Sequence, residues 1–261
     1  MLRAILISVV ASTCALANQE SAPQTQPTAP QEQQQPEWIA KFNKLPEETR
    51  RTYIAKFSEA EKLFAQKDAV SALFELTEIE KTFPDNPGLY NLMGACYIEM
   101  RDVPKAIVNF EKAYQMDPRN PTVEFNLAEA HFVHHDYKEA LKRFDALLKK
   151  SDQQKTSPTY QIIQFKRLIC AYKLNDKKLI KELSDIYGAM DDTPYYYYSE
   201  ALKCFTAKDK KEAEENIKSA LNIYAQTNVI QIFQDSLIES GYLPAVLGQT
   251  FSSELKADEG Q

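Results

Sequence analysis

Glycine is scarce in this chain: six in 261 residues, none of them clustered. That leaves no loop of the kind that wraps a phosphate with backbone N–H groups. Catalytic signatures are missing as well, with no H-E-x-x-H, no G-x-S-x-G and no cysteine–histidine arrangement at a recognisable spacing. Cysteine appears four times, at Cys14, Cys96, Cys170 and Cys204, and never as C-x-x-C. Cys14 lies in the apolar N-terminal run, and the odd number left over excludes a fully paired disulfide framework. Positive charge is also short. Lys and Arg number 31 against 37 Asp and Glu, a net charge of −6, which is a poor balance for holding nucleic-acid backbones. After Leu16 no stretch is long and apolar enough to cross a bilayer as a helix. No Asn-x-Ser/Thr acceptor occurs, because Asn120-Pro121-Thr122 is blocked by its proline, and this favours a bacterial envelope over a eukaryotic secretory route.

The N-terminus has its own logic. Met1-Leu2-Arg3 is a short basic start, Ala4 to Leu16 is almost wholly apolar, and Ala15-Leu16-Ala17 offers an A-x-A cleavage site. Residues 1–17 therefore read as a secretory signal peptide, too short to span a membrane. Cys14 allows a rival processing route, in which the acylated cysteine becomes the mature N-terminus and ties the protein peripherally to a membrane. Ala11-Ser12-Thr13 before it fits that route poorly. Residues 18–36 are rich in proline and glutamine, with no aromatic and no aliphatic larger than alanine. Such a segment buries too little surface to offset its ordering entropy and is expected to be a disordered linker. The three later cysteines fall at core-type helical positions, where cysteine acts as a small hydrophobe. Cys170 and Cys204 lie in consecutive units and are the pair to consider for a disulfide, although the geometry that bond demands is narrow.

What is present in abundance is repetition. Asp68, Asp102, Asp136, Asp176 and Asp209 fall in step. Four residues after each come Ala72, Ala106, Ala140, Ile180 and Ala213, and eight before come Ala60, Gly94, Ala128, Leu168 and Ala201. A recurring period of this size means stacked copies of one supersecondary unit, none able to bury its apolar face alone. Each aspartate is placed to cap the second helix of a helix pair. In residues 87–120, Tyr90, Met93, Gly94 and Tyr97 share one face of a first helix, while Ala106, Phe110 and Ala113 line the second. Gly94 and Ala106 are small enough to let the two backbones approach closely.

Those residues carry a resemblance. The run Tyr90, Gly94, Tyr97, Ala106, Phe110, Ala113 and Pro118 resembles the tetratricopeptide repeat, as found in exported bacterial repeat proteins. The resemblance implies an all-α, right-handed superhelical solenoid of helix hairpins. It spans residues 53–227 as five repeats: 53–86, 87–120, 121–154, 161–193 and 194–227. The fourth is degenerate, with Ser184 where a large apolar residue belongs, and an insertion from Asp152 to about Pro158 precedes it. Residues 37–52, with Trp38, Ile39, Phe42 and a helix start at Pro46, form an N-terminal capping region. Residues 228–247 form a C-terminal capping helix, and 248–261 a flexible tail.

The resemblance also implies that the first helix of each repeat lines an inner, concave face. On it fall Phe57, Phe64, Asn91, Ile98, Phe125, Asn126, Glu129, Phe132, Tyr172, Tyr195, Tyr198 and Phe205, an aromatic channel with polar breaks. Such a face suits a peptide or a partner protein. The competing reading is that the stripe packs between repeats or lies under the terminal helices. The inner face lacks the lysine–arginine set that repeats of this type use to clamp a C-terminal carboxylate. His131, His134 and His135 could share a divalent metal only if their helix ran on to residue 135; otherwise His131 is core and the others lie in a turn. No metal and no cofactor is expected. The sequence thus points to a non-enzymatic protein-binding scaffold in the cell envelope, with self-association through open repeat ends as the structural alternative.

Overall fold

The computed structural model describes residues 36–150, 156–191, 193–224 and 229–244. The expected signal peptide, the linker up to residue 35 and the tail lie outside the described residues, as does most of the insertion. Every regular element described is an α-helix. In chain order these are α1 (Glu37–Asn43), α2 (Glu47–Ala65), α3 (Ala69–Glu80), α4 (Pro87–Glu99), α5 (Val103–Met116), α6 (Pro121–Val133), α7 (Tyr137–Lys150), α8 (Pro158–Leu174), α9 (Lys177–Ser184), α10 (Tyr195–Thr206), α11 (Lys210–Tyr224) and α12 (Val229–Glu239). No helix among the described residues is long and apolar enough to cross a membrane.

The five aspartates each sit at the same turn and act there twice. Their carboxylates accept the N–H three residues on: Ser71 for Asp68 and Lys105 for Asp102, Glu139 for Asp136, Leu179 for Asp176, and Glu212 for Asp209. This caps the helix that follows. Their own N–H groups donate backwards to the carbonyls of Leu63, Tyr97, His131, Ala171 and Cys204, at 2.9–3.0 Å. The residue before each aspartate, Lys67, Arg101, His135, Asn175 or Lys208, has positive φ. Together these bonds form a Schellman closure of the helix that precedes. One aspartate therefore ends one helix and begins the next, and the tight turn forces the two helices into a hairpin.

Contacts divide the chain into two compact units, one reaching to Asn126 and the other starting at Leu127, inside α6. In the first unit α4 packs on α5 where Gly94 meets Phe110. A Cβ built on Gly94 would lie 2.6 Å from the Phe110 ring, so the partner that needs the missing side chain is Phe110 rather than Ala106. The N-terminal end of this unit closes over an aromatic cluster. Phe42 of α1 sits edge-on to Tyr53 at 5.2 Å and to Phe83 at 5.3 Å. α2 begins at Glu47, directly after Pro46, and runs unbroken past residue 53, so the expected N-terminal cap and the first repeat share one helix.

In the second unit α9 is the shortest repeat helix, eight residues with Leu183 as its buried member. Ser184 ends it where a large apolar side chain would have continued the stripe. The space is filled instead by Tyr187, whose ring lies 4.9 Å from that of Tyr195.

Candidate protein-binding face

Most of the side chains expected to line an inner face are packed. In the first unit Phe57, Ile98 and Phe125 are buried. Asn91 and Asn126, which the sequence suggested as polar contacts for a partner, bond to each other: Asn126 Nδ2 donates to Asn91 Oδ1 at 2.9 Å, while Asn126 Oδ1 is buried without a partner among the described residues. The bond joins α4 to α6 in the core of the repeat stack, where an unpaired amide would be costly. Phe64 is half-buried.

In the second unit a helix lies on this face. α12 places Phe233 4.9 Å from the Phe165 ring of α8 and 5.1 Å from the Tyr198 ring of α10, the latter stacked at 26°. Phe132, Tyr195 and Tyr198 are fully buried, while Tyr172 and Phe205 are half-buried. Tyr195 does not offer its hydroxyl outward, since it donates to the Leu183 carbonyl at 2.8 Å. At α8 and α10 the face is therefore covered by a terminal helix rather than left as an open channel.

Beneath α12 lies a feature that sequence reasoning missed. Lys166, on α8, is 1 % exposed. Its Nζ is 2.9 Å from Glu129 Oε2 of α6 and 3.2 Å from Glu239 Oε2 of α12. The ammonium also stands 4.3 Å over the face of Phe132. Burial alone would lower the Lys166 pKa, but the two carboxylates outweigh it and hold the group protonated. Burial pushes the Glu129 carboxyl up to about 7, with Lys166 offsetting part of the shift and Glu239 adding to it. The signal in the sequence was a single lysine inside Ile162, Ile163, Phe165, Leu168 and Ile169, a place where an unpaired charge does not survive. Next to it His135 Nε2 lies 2.9 Å from the Glu239 carbonyl oxygen at the end of α12.

That placement settles the geometry of the histidine cluster. α6 stops at Val133, His135 adopts a left-handed conformation, and His131 is buried with Nδ1 3.5 Å from Asp136. Among the described residues no group of three or more potential ligands is arranged to hold a metal ion. Cys96, Cys170 and Cys204 are free thiols, the first two buried. Burial pushes the Cys96 thiol up to about 12, so it is a core side chain rather than a nucleophile.

Comparison with known proteins agrees with this architecture. Residues 100–158 match the family model of the tetratricopeptide repeat. No curated protein matches the chain significantly. Among solved structures, a tetratricopeptide repeat protein from Parabacteroides merdae is similar at 16 % identity and a TM-score of 0.54, covering 79 % of this chain and 80 % of that one. The type IV pilus biogenesis factor PilW is similar at 17 % identity and 0.53, covering 80 % and 94 %. YrrB, a repeat protein with an unusual peptide-binding site, is similar at 16 % identity and 0.50, covering 72 % and 95 %. At these identities the likeness is one of fold.

Proposed function

We propose that this chain, whose residues 100–158 match the tetratricopeptide repeat, is a non-enzymatic scaffold that binds a segment of a partner protein on the inner face of its first helices. The observation that carries this reading is α12 seated on α8 and α10: this face accepts a helix, through aromatic contact from Phe165 and Tyr198. Aromatic side chains give large contact area at low entropic cost, which suits a recognition surface. The envelope is the proposed place of action, and residues 1–17 support it with their basic start, apolar core and A-x-A site. A mature chain starting at Asn18 would be released, whereas one starting at a lipidated Cys14 would be held at a membrane. Mass spectrometry of the native N-terminus distinguishes the two.

Replacing the fully buried aromatics would unfold the repeats and say nothing about binding. A photo-crosslinking amino acid at the half-buried Phe64, Tyr172 or Phe205 probes the face without that penalty. The expected result is discrete protein adducts from these sites in cells, and none from the exposed Lys142 of α7. Adducts equal at all four positions would remove the basis for an inner binding face.

A further inference from the structure

α12 is an imperfect fit to the seat it occupies. It buries Gln234 beside Ile230, Phe233 and Leu237, whereas its other buried polar side chains are bonded within the helix, Asp235 accepting from Gln231 Nε2 at 2.9 Å and Ser236 donating to the Ile232 carbonyl at 2.8 Å. Two polar atoms of the face beneath, Tyr198 Oη and Glu129 Oε1, are buried without a hydrogen-bond partner among the described residues, and so is Gln234 Nε2 of α12 itself. A buried polar atom left unpaired carries a desolvation cost that apolar contact does not return. Tyr198 Oη and Glu129 Oε1 belong to the receiving face, so they are hydrogen-bonding positions a better-matched helix would use.

The charges say what such a helix carries. Lys166 has two carboxylate partners, and only Glu129 belongs to the receiving face; Glu239 arrives with α12. Without an incoming carboxylate, the buried ammonium keeps half of its pairing. An aromatic ring is required as well, because Phe165 and Tyr198 form the two walls against which Phe233 rests.

We propose that α12 is an exchangeable occupant, and that its seat is the site for a partner's amphipathic helix presenting an aromatic residue and, about two turns further on, a carboxylate for Lys166. This rests on the reading of the protein as a scaffold and names the class of ligand. α12 then acts as a competitor in cis, and the partner's apparent affinity is reduced by the fraction of chains in which α12 is docked.

The test uses the full chain and a fluorescein-labelled synthetic peptide of residues 227–244, with binding read by fluorescence anisotropy. Against the wild-type chain the peptide competes with its own copy in cis and binds weakly. Against the Phe233→Ala/Glu239→Gln chain it is expected to bind at least about tenfold tighter. A peptide carrying Glu239→Gln is expected to lose about tenfold against the same chain. Equal binding to the two chains, with circular dichroism showing both folded, would make α12 a fixed part of the core and overturn the proposal. Equal binding of the two peptides would overturn the carboxylate requirement. Should the double variant fail to fold, hydrogen exchange on the wild-type chain decides: α12 amides must exchange well before those of α10, and identical protection rules out exchange of the occupant. The scaffold reading fails separately, through the cellular cross-links, since the peptide assay needs no cellular partner.

Discussion

Replacing Asp209 by alanine removes the acceptor for the Glu212 N–H at 3.1 Å while leaving the backbone bond from its own N–H to Cys204 in place. Only the cap on α11 is lost, so the expected cost is about 1 kcal/mol. Asn at the same position caps nearly as well and should retain most of that stability in urea unfolding. A loss of equal size in both variants would show that charge matters here and capping does not. Gly94 tests the other tight point. Alanine is favoured over glycine inside a helix by about 1 kcal/mol, yet its methyl would enter the Phe110 ring at 2.6 Å, and Phe110 is fully buried with no room to swing. Gly94→Ala should therefore destabilise by about 1–3 kcal/mol in spite of its better helix propensity. A gain in stability would mean that α4 and α5 can separate without loss.

At the scale of elements, the contact between α12 and α6–α8 has a pH dependence with a definite sign. The Glu129 carboxyl, facing Lys166 of α8 and Glu239 of α12, is held at about 7 against an ordinary value of 4.5. A proton bound more tightly in the folded state stabilises that state in full below about 4.5. The contribution fades as pH rises through about 7. Thermal unfolding should thus show Tm falling between pH 5 and pH 8, and Glu129→Gln, which cannot ionise, should flatten that fall. A profile unchanged by the substitution would place the titration elsewhere. The hairpins themselves were legible in the sequence, because periodicity and aspartate caps are local and repeat five times. The Schellman half of each turn was not, since the left-handed residues are Lys67, Arg101, His135, Asn175 and Lys208 rather than glycine. The seat of α12 was legible only as a possibility. The amphipathic pattern of Val229, Ile232, Phe233 and Leu237 announces a helix with an apolar side, but pattern alone does not say which face receives it. That choice is made by long-range pairing of Glu239 with Lys166 and of Phe233 with Phe165 and Tyr198, partners far away in sequence.

For the molecule as a whole, stacked repeats interact only with their neighbours, so stability follows the local quality of each hairpin rather than one global value. α4 and α5 are the best-formed pair: Gly94, Ala106, Phe110 and Ala113 are all buried at their contact, and α4 buries ten of its residues. α9 is the weakest, eight residues long and anchored by Leu183, with Lys177, Lys178, Lys181 and Glu182 all exposed. The gap it leaves is bridged from the side, by Tyr187 on Tyr195 and by the Tyr195 hydroxyl on the Leu183 carbonyl. Hydrogen exchange followed by mass spectrometry should therefore rank α9 as the first repeat helix to lose protection and α4 and α5 as the last. Tyr195→Phe, which removes only the bond to Leu183, should speed exchange in α9 while leaving α4 and α5 unchanged. Uniform protection along the array would instead mean that the repeats unfold as one cooperative body, and that the degenerate unit carries as much of the fold as the regular ones.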